Sequence, residues 1–260
     1  MNYTKASNYI VNWLANYSET SGTTGFVIGI SGGIDSAVTS TLCALTKKRV
    51  IVLSMPIKQF KEEHDRSHEH IAWLKANFTN VESHEVELSN VLNSFEEALP
   101  KDVQDSLSMA NTRARIRMST LYAFASHHKL VVVGTGNKVE DFGVGFFTKY
   151  GDGGVDISPI ADLYKTQVHQ LGKTLGIVNS ILNAKPTDGL FADGRTDEDQ
   201  IGATYPELEW AMEYINSQSK DKMTARQSEV LEIYNRRHNA NKHKMDAIPV
   251  CMLPLELKNS

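Results

Sequence analysis

A glycine-rich loop at residues 31–36, Ser-Gly-Gly-Ile-Asp-Ser, has the residue types of a phosphate-binding site. Paired glycines let the backbone turn tightly and point successive N–H groups inward, and a helix that begins directly afterwards adds partial positive charge. Asp35 opposes that field unless a cation is present, and Mg²⁺ that bridges Asp35 to phosphate oxygens removes the conflict. The loop fits neither the GxxxxGK[ST] nor the GxGxxG pattern. The alternative interpretation is a structural turn closed by a helix cap.

Two further polar segments follow one another at residues 134–154. Glu140 ends the run Gly-Thr-Gly-Asn-Lys-Val-Glu and is a candidate second carboxylate for the same Mg²⁺. The alternative is a solvated loop glutamate. Residues 145–154 then combine two adjacent aromatic residues, Lys149 and clustered glycines, which suits a flat ring beside an anion. An ordinary aromatic hairpin would have the same composition.

The elements that must position these segments alternate between strands and helices. Predicted strands lie at 25–31, 50–55 and 130–134, with a weaker one at 81–88, and predicted helices at 10–17, 35–47, 65–78, 105–128 and 162–176. A polar loop at 186–200, further helix and an extended tail at 248–257 complete the chain. The alternation predicts an α/β fold, a doubly wound and mostly parallel sheet flanked by helices. Ligands of such sheets bind beyond the carboxyl ends of the strands, where residues 31–36 and 134–140 lie.

The composition excludes several classes of protein. The 260 residues carry 27 Lys+Arg against 31 Asp+Glu, so a nucleic-acid-coating surface is not expected. Cys43 and Cys251 are the only cysteines, which rules out a disulfide framework and a four-cysteine zinc site. The first 20 residues lack the apolar core of a signal peptide, and no run reaches membrane-spanning length. We therefore expect a single domain over residues 1–260, cytoplasmic, without nucleic-acid or membrane partners.

Arginines flank the apolar stripe of the predicted helix at 105–128. At ~100° per residue, Arg113 and Arg117 lie on one flank and Arg115 on the other. Such a helix can pack against the sheet and still present guanidinium groups to phosphate or carboxylate. Three solvated surface arginines are the alternative.

Two other polar segments are open to a functional interpretation. Residues 187–199 form a polar, glycine-containing segment that could exclude water from a hydrolysable intermediate, although an ordinary acidic loop has the same features. His64 and His68 have the spacing of paired metal ligands on a helix. The Glu of an HExxH motif is missing and the sequence shows no third ligand, so we expect a solvated helix there.

Residues 31–36 resemble the pyrophosphate loop of the N-type ATP pyrophosphatases, which cleave ATP between the α and β phosphates. Further motifs narrow the resemblance to the ammonia-dependent NAD synthetase family and cover nearly the whole chain in the expected order. These are residues 111–118, 134–140, 146–153 (Phe-Phe-Thr-Lys-Tyr-Gly-Asp-Gly), 185–190, 196–198 and 243–244. The stretch Phe-Phe-Thr-Lys-Tyr-Gly-Asp-Gly-Gly, followed by Lys165, is the most specific of them. The chain departs from the family pattern just after Glu140 and at residues 189–195.

The resemblance implies an adenine nucleotide alpha hydrolase-like fold and a set of site residues. It implies ATP contacts by Gly29, Ile30, Ser31, Gly32, Gly33, Ile34, Asp35, Ser36, Thr135, Lys165 and Thr187. It implies contacts to nicotinic acid adenine dinucleotide (deamido-NAD) by Arg115, Lys149, Asp156, His243 and Lys244. Asp35 and Glu140 would be the Mg²⁺ ligands, and Asp35, Lys165 and Thr187 the catalytic residues.

The reaction implied is the ATP- and Mg²⁺-dependent amidation of deamido-NAD by ammonia through an adenylate, giving NAD, AMP and pyrophosphate. Neither cysteine has the surroundings of a glutaminase nucleophile and the chain has no room for an amidase domain, so free ammonia is the expected nitrogen donor. The family also implies a homodimer. Two alternatives stay open, namely a related enzyme that adenylates a different acceptor and a non-catalytic ATP-binding sensor.

Overall fold

A four-stranded parallel sheet forms the centre of the computed structural model, which describes residues 1–58, 61–187, 196–218 and 222–258. The strands are β1 (Gly25–Gly29), β2 (Arg49–Ser54), β3 (Val81–Glu85) and β4 (Val131–Val132), in the order β3-β2-β1-β4. All three strand pairs are parallel. The predicted α/β fold class is therefore confirmed, with β1 and β4 adjacent so that the loops after both strands meet at one edge.

Helices cover both faces of the sheet. They are α1 (Tyr3–Thr20), α2 (Ile34–Leu45), α3 (Lys61–Asn77), α4 (Ser89–Ala98), α5 (Ser106–His128), α6 (Lys165–Leu175), α7 (Asn179–Leu182), α8 (Asp197–Ile201), α9 (Tyr205–Asn216), α10 (Ala225–Met245) and α11 (Leu255–Lys258). A 3₁₀ turn lies at Lys101–Val103 and a π-helix at Val139–Val144. None of these described helices combines the length and the apolar character needed to cross a membrane.

Two sequence predictions about local structure need correction. The polar loop predicted at 186–200 contains the start of α8, because the Thr196 hydroxyl accepts from the Asp199 N–H while the Asp199 carboxylate accepts from the Thr196 N–H. The tail predicted as extended at 248–257 ends in the short helix α11. Glu140, for which a solvated loop glutamate was the alternative interpretation, lies in a π-helix and its side chain is 15% exposed. Helix α4, which the sequence reading did not include, packs its buried Leu92 under the sheet.

Alternating side chains of β1 build a core on each face of the sheet. Phe26 and Ile28 pack with apolar residues of α1, α2 and α6 on one face, and Val27 packs with residues of α4 and α5 on the other. This alternation is the period-2 pattern of a strand buried on both sides. A third cluster joins the π-helix to α9 and α10 around Tyr205, and it fixes the position of Glu140 beside the sheet edge.

A buried histidine in the core makes folding sensitive to acid. His70 is fully buried, and its Nε2 lies 3.0 Å from the Ser40 hydroxyl, which donates to the Ala37 carbonyl. His70 Nδ1 has no hydrogen-bond partner. Burial lowers the pKa of His70 to about 4.

We expect the chain to lose stability as the pH falls from about 6.5 towards 4, because the unfolded chain then takes up a proton that the folded core excludes. The integrated loss from His70 alone is about 3 kcal/mol. Chemical unfolding of the parent chain and of His70→Gln at pH 7 and 4.5 measures it. The variant should lose less stability between the two pH values, and parallel losses would contradict the assignment.

Candidate active site

The loop between β1 and α2 has the backbone of an anion-binding turn. Gly32 lies at φ +83°, and a Cβ there would come within 2.5 Å of the Glu63 carbonyl, so both the conformation and the space favour glycine. Gly33 is the N-cap of α2. The Ser31 and Ser36 hydroxyls lie 3.1 Å apart and hold the turn together, because the Ser31 hydroxyl also accepts from the Gly33 N–H. The predicted phosphate loop therefore opens directly onto the N-terminus of a helix.

Two carboxylates and one ammonium group meet beside this loop. Asp35 lies in the first turn of α2, Glu140 in the π-helix and Lys165 at the start of α6. Lys165 Nζ lies 2.5 Å from Asp35 Oδ2 and 3.0 Å from Glu140 Oε1, and the three side chains are only 11–15% exposed. Asn137 adds an amide donor, 3.3 Å from Asp35 Oδ1. The structure thus brings together residues that are 105 or more positions apart (Asp35 with Glu140 and Lys165), as the sequence predicted.

Burial and charge act in opposite directions on these groups. Burial raises the pKa of Asp35 above its ordinary value, and the positive charge of Lys165 opposes that shift. Burial by itself would lower the pKa of Lys165, but the negative charges of Asp35 and Glu140 raise it above its ordinary value. Lys165 therefore stays protonated and acts as a fixed positive charge at this point of the crevice.

A cavity of about 880 Å³ extends from the loop across the carboxyl edge of the sheet. Its lining includes every residue predicted to contact ATP, together with Glu140 and four of the five residues predicted to contact deamido-NAD. The exception is Asp156. Its carboxylate accepts from the Tyr122 hydroxyl at 2.9 Å and from the Val132 N–H at 2.8 Å, and it is not part of the lining.

Four cationic or ionisable side chains from distant segments form one rim of the cavity. Lys149 Nζ donates to the His243 carbonyl at 2.6 Å, and Arg115 donates to the Lys149 carbonyl at 3.3 Å. Lys244 Nζ donates to the carbonyls of Gly145 and Phe147, the latter at 2.7 Å. Arg115, Lys149, His243 and Lys244 are therefore neighbours in space, although they come from α5, a loop and α10.

The structure adds polar residues that sequence reasoning missed. The Tyr205 hydroxyl donates to Glu140 Oε1 at 2.6 Å and lies 3.2 Å from Asp197 Oδ2, with the ring 2% exposed. Burial, together with the charges of those two carboxylates, raises the pKa of Tyr205, so the phenol remains a donor. Arg117, which the sequence had already placed on a flank of α5, donates to the Met55 carbonyl at 3.0 Å, and burial lowers its pKa to about 10. The capping pattern at Thr204 marks the start of α9, but no local signal shows that Tyr205 reaches Glu140.

Residues 188–195 of the predicted closing segment at 187–199 lie outside the described residues. Thr187 lines the cavity, and Asp197, in the first turn of α8, does so too. The prediction of a water-excluding segment therefore stays a prediction. The His64 and His68 pair, predicted to be solvated, is not among the residues that line this cavity.

The chain is similar to known proteins over most of its length, which identifies its family. A family model described as NAD synthase matches residues 6–247. The chain belongs to the NAD synthase family. Among relatives of the NAD synthase, the NH(3)-dependent NAD(+) synthetase of Methanosarcina acetivorans is 38% identical over 257 residues, which cover 96% of this chain and 98% of that one. The protein of the same name from Alkaliphilus metalliredigens is 41% identical over 241 residues, or 90% and 93% of the two chains.

Solved structures also resemble this NAD synthase family member. NMN synthetase from Francisella tularensis has a TM-score of 0.87 at 32% identity, with 97% of this chain and 100% of that chain covered. NH3-dependent NAD synthetase from Campylobacter jejuni has a TM-score of 0.80 at 24% identity over the same shares, a likeness of fold. Together the relatives confirm the predicted family, the fold class and the expectation of an ammonia-dependent NAD synthetase, a ligase that forms a C–N bond.

Proposed function

We propose that this member of the NAD synthase family uses Asp35, Glu140 and Lys165 to transfer the adenylyl group of ATP to the nicotinate carboxylate of deamido-NAD, before ammonia displaces AMP. The observation that carries the proposal is the contact of Lys165 Nζ with both carboxylates beside the 31–36 loop. The cavity of about 880 Å³ can hold parts of both ATP and deamido-NAD. Its cationic rim would contact a phosphate of the dinucleotide.

The donor set at this point fits Mg²⁺. Asp35 and Glu140 share one ammonium group, so their oxygens are within reach of a single cation, and both are oxygen ligands of the kind that Mg²⁺ binds. The N–H groups of the 31–36 loop lie beside them and can hold the phosphates of ATP. When bound, Mg²⁺ would supply neutralising charge for the phosphates of ATP.

The residues of the chain perform the rest by position and charge. The nicotinate carboxylate oxygen attacks the α-phosphorus, the bond to the β-phosphate oxygen breaks, and pyrophosphate leaves into the N–H groups of the 31–36 loop. Lys165 neutralises charge on the departing phosphates, and the Thr187 hydroxyl orients them. Ammonia then attacks the acyl carbon, AMP leaves with the electron pair of the broken C–O bond, and one proton is released to solvent. No step needs a covalent intermediate on the enzyme.

One incubation tests the reaction. ATP, Mg²⁺, deamido-NAD and ammonium chloride together should give NAD and AMP in equal amounts, and omission of any one component should abolish NAD. Formation of AMP without NAD would mean that the enzyme cleaves ATP as proposed but transfers the adenylyl group to a different acceptor. Absence of both products would leave a non-catalytic ATP-binding sensor as the remaining interpretation of this chain.

The similarity to an NMN synthetase supports a second acceptor, the nicotinic acid mononucleotide. It carries the same nicotinate carboxylate and lacks the adenylyl half that the rim of Arg115, Lys149, His243 and Lys244 would contact. The ratio of kcat/KM for the two acceptors measures the choice. A higher value for the mononucleotide would make NMN the product and overturn our assignment of the rim to the dinucleotide.

The rate should rise with pH when total ammonium is held constant, because only neutral NH₃ carries the lone pair that attacks the acyl carbon. The measurement is kcat/KM for total ammonium between pH 7 and 8.5, at saturating ATP and deamido-NAD. Replotted against the concentration of NH₃, the rates should fall on one line. A rate that does not depend on pH would indicate a nitrogen donor other than free ammonia.

A homodimer, which the family resemblance implied, is also part of the proposal. Leu107 on α5 is 60% exposed and lines the cavity, and Phe95 on α4 is 46% exposed nearby in the chain. Burial of these side chains against a second copy would place the site next to the subunit interface. Light scattering during gel filtration should give twice the mass of the chain, and a single-chain mass at micromolar concentration would contradict it.

A further inference from the structure

Three metal-ligating side chains converge at the edge of the sheet, away from the cavity. His64 and His68 lie one turn apart on α3, and Glu85 is the last residue of β3. His68 Nε2 lies 2.6 Å from Glu85 Oε2 and 3.1 Å from His64 Nε2, and His64 Nε2 lies 3.3 Å from the same carboxylate oxygen. The sequence showed no third ligand for the two histidines, and the fold supplies it from a strand 17 residues further along the chain.

The three atoms lie within hydrogen-bond distance of one another, so their roles depend on which imidazole nitrogens carry protons. When the Nε2–H of His68 donates to Glu85, that nitrogen has no lone pair left to accept from His64. If both imidazoles carry the proton on Nε2, the two N–H groups face each other at 3.1 Å. A divalent cation instead accepts one lone pair from each of the three atoms. Bonds of ~2.0–2.1 Å in tetrahedral geometry hold ligand atoms about 3.3 Å apart. His64 Nε2 already lies 3.3 Å from Glu85 Oε2 and 3.1 Å from His68 Nε2, and the 2.6 Å contact of His68 with Glu85 would lengthen around the ion.

We propose that His64, His68 and Glu85 form a binding site for Zn²⁺. Two imidazole nitrogens with one carboxylate favour zinc and similar transition metals over Mg²⁺, which prefers oxygen ligands throughout. The three side chains are 33–49% exposed, so water can complete the coordination. The site is separate from the proposed Mg²⁺ ligands, because β3 lies at the opposite edge of the sheet from β4 and two strands away from β1.

The position of this site gives the ion a structural role. Helix α3 presents Glu63 and Arg66 to the active-site cavity, and Arg66 Nε donates to the carbonyl of Gly32 in the phosphate loop at 3.3 Å. An ion that joins His64 and His68 to Glu85 fastens the first turns of α3 to the end of β3. It thereby holds in place the helix segment that supports the phosphate loop.

Zinc titration by calorimetry tests the proposal on tag-free, EDTA-treated full chain, in excess Mg²⁺ and with Cys251→Ser in every protein to remove the exposed thiol. We expect one equivalent of Zn²⁺ to bind and to raise the melting temperature. His64→Ala, His68→Ala and Glu85→Gln should each weaken binding by about tenfold or more. His127→Ala, an exposed histidine at the end of α5, is the matched control and should bind like the parent.

The same proteins give outcomes that decide the question. Circular dichroism checks that each variant is folded, and Co²⁺ titration adds a visible absorption band that should disappear in the His64→Ala/His68→Ala double variant. The absence of Zn²⁺ binding in the parent overturns the proposal. Binding that persists in all three single variants and in the double variant overturns it as well, because the ion would then lie elsewhere.

Discussion

Asp35→Asn should lower kcat by about 10³-fold while the chain stays folded. The substitution keeps the shape of the side chain and removes one of the two anionic ligands proposed for Mg²⁺ beside the phosphate loop. Lys165 would keep Glu140 as its partner at 3.0 Å, so the buried ammonium is still compensated. Single-turnover release of pyrophosphate from ATP and deamido-NAD measures the effect on the first chemical step.

Asp162→Asn is the matched control for this change. Asp162 pairs with Lys138 at the surface and its side chain is 96% exposed, so its loss should leave kcat unchanged. Ordinary pyrophosphate release in folded Asp35→Asn would refute both the metal assignment and the role of the carboxylate. A fall in both variants would indicate a general effect of the lost negative charge instead.

Lys165→Met should change metal binding and turnover in opposite directions. In the parent chain the ammonium group of Lys165 neutralises Asp35 and Glu140, so it competes with a divalent cation for the same oxygens. Without it the two carboxylates repel each other, and the affinity for Mn²⁺ (a probe for Mg²⁺) in the absence of ATP should rise. The kcat/KM for ATP should nevertheless fall by about 10²- to 10³-fold, because the departing pyrophosphate loses a fixed positive charge.

Lys173→Met on the same helix α6 is the control, since Lys173 is exposed and two turns away from the site. Paramagnetic relaxation or a fluorescent indicator measures Mn²⁺ binding, and initial rates measure turnover. If Lys165 were only a structural counter-ion, metal affinity would change and kcat/KM would not. Unchanged turnover in a folded Lys165→Met chain would therefore remove this residue from the mechanism.

Much of this site could be predicted from the sequence because its key residues follow the ends of strands. Asp35 comes after β1 and Glu140 comes after β4, and parallel topology brings such positions to one edge. Local sequence patterns do not show which residues from distant parts of the chain contact one another. Tyr205 reaches Glu140 from α9, 65 residues away, and Glu85 reaches His64 from a neighbouring strand. Both contacts depend on how helices pack, which periodicity does not specify.

Local predictions failed where a polar segment has a helical alternative. Thr196 and Asp199 satisfy each other's backbone N–H groups, which starts α8 inside a segment that composition alone describes as loop. The π-helix at Val139–Val144 closes with Gly145 in the left-handed region at φ +63°, a geometry that tertiary contacts to α9 and α10 select. Asp156, predicted to contact deamido-NAD, accepts from the N–H of Val132 in β4, and its contact to the dinucleotide stays a prediction.

The edge strand β3 has a consequence for how copies of this chain can associate. Its five residues, Val-Glu-Ser-His-Glu, put ionisable side chains on most of an otherwise open row of backbone hydrogen-bonding groups. Charged side chains on a short edge strand discourage a second chain from adding its own strand there. This edge of the sheet is therefore protected from growing sideways into a fibre-like stack with further copies of the chain.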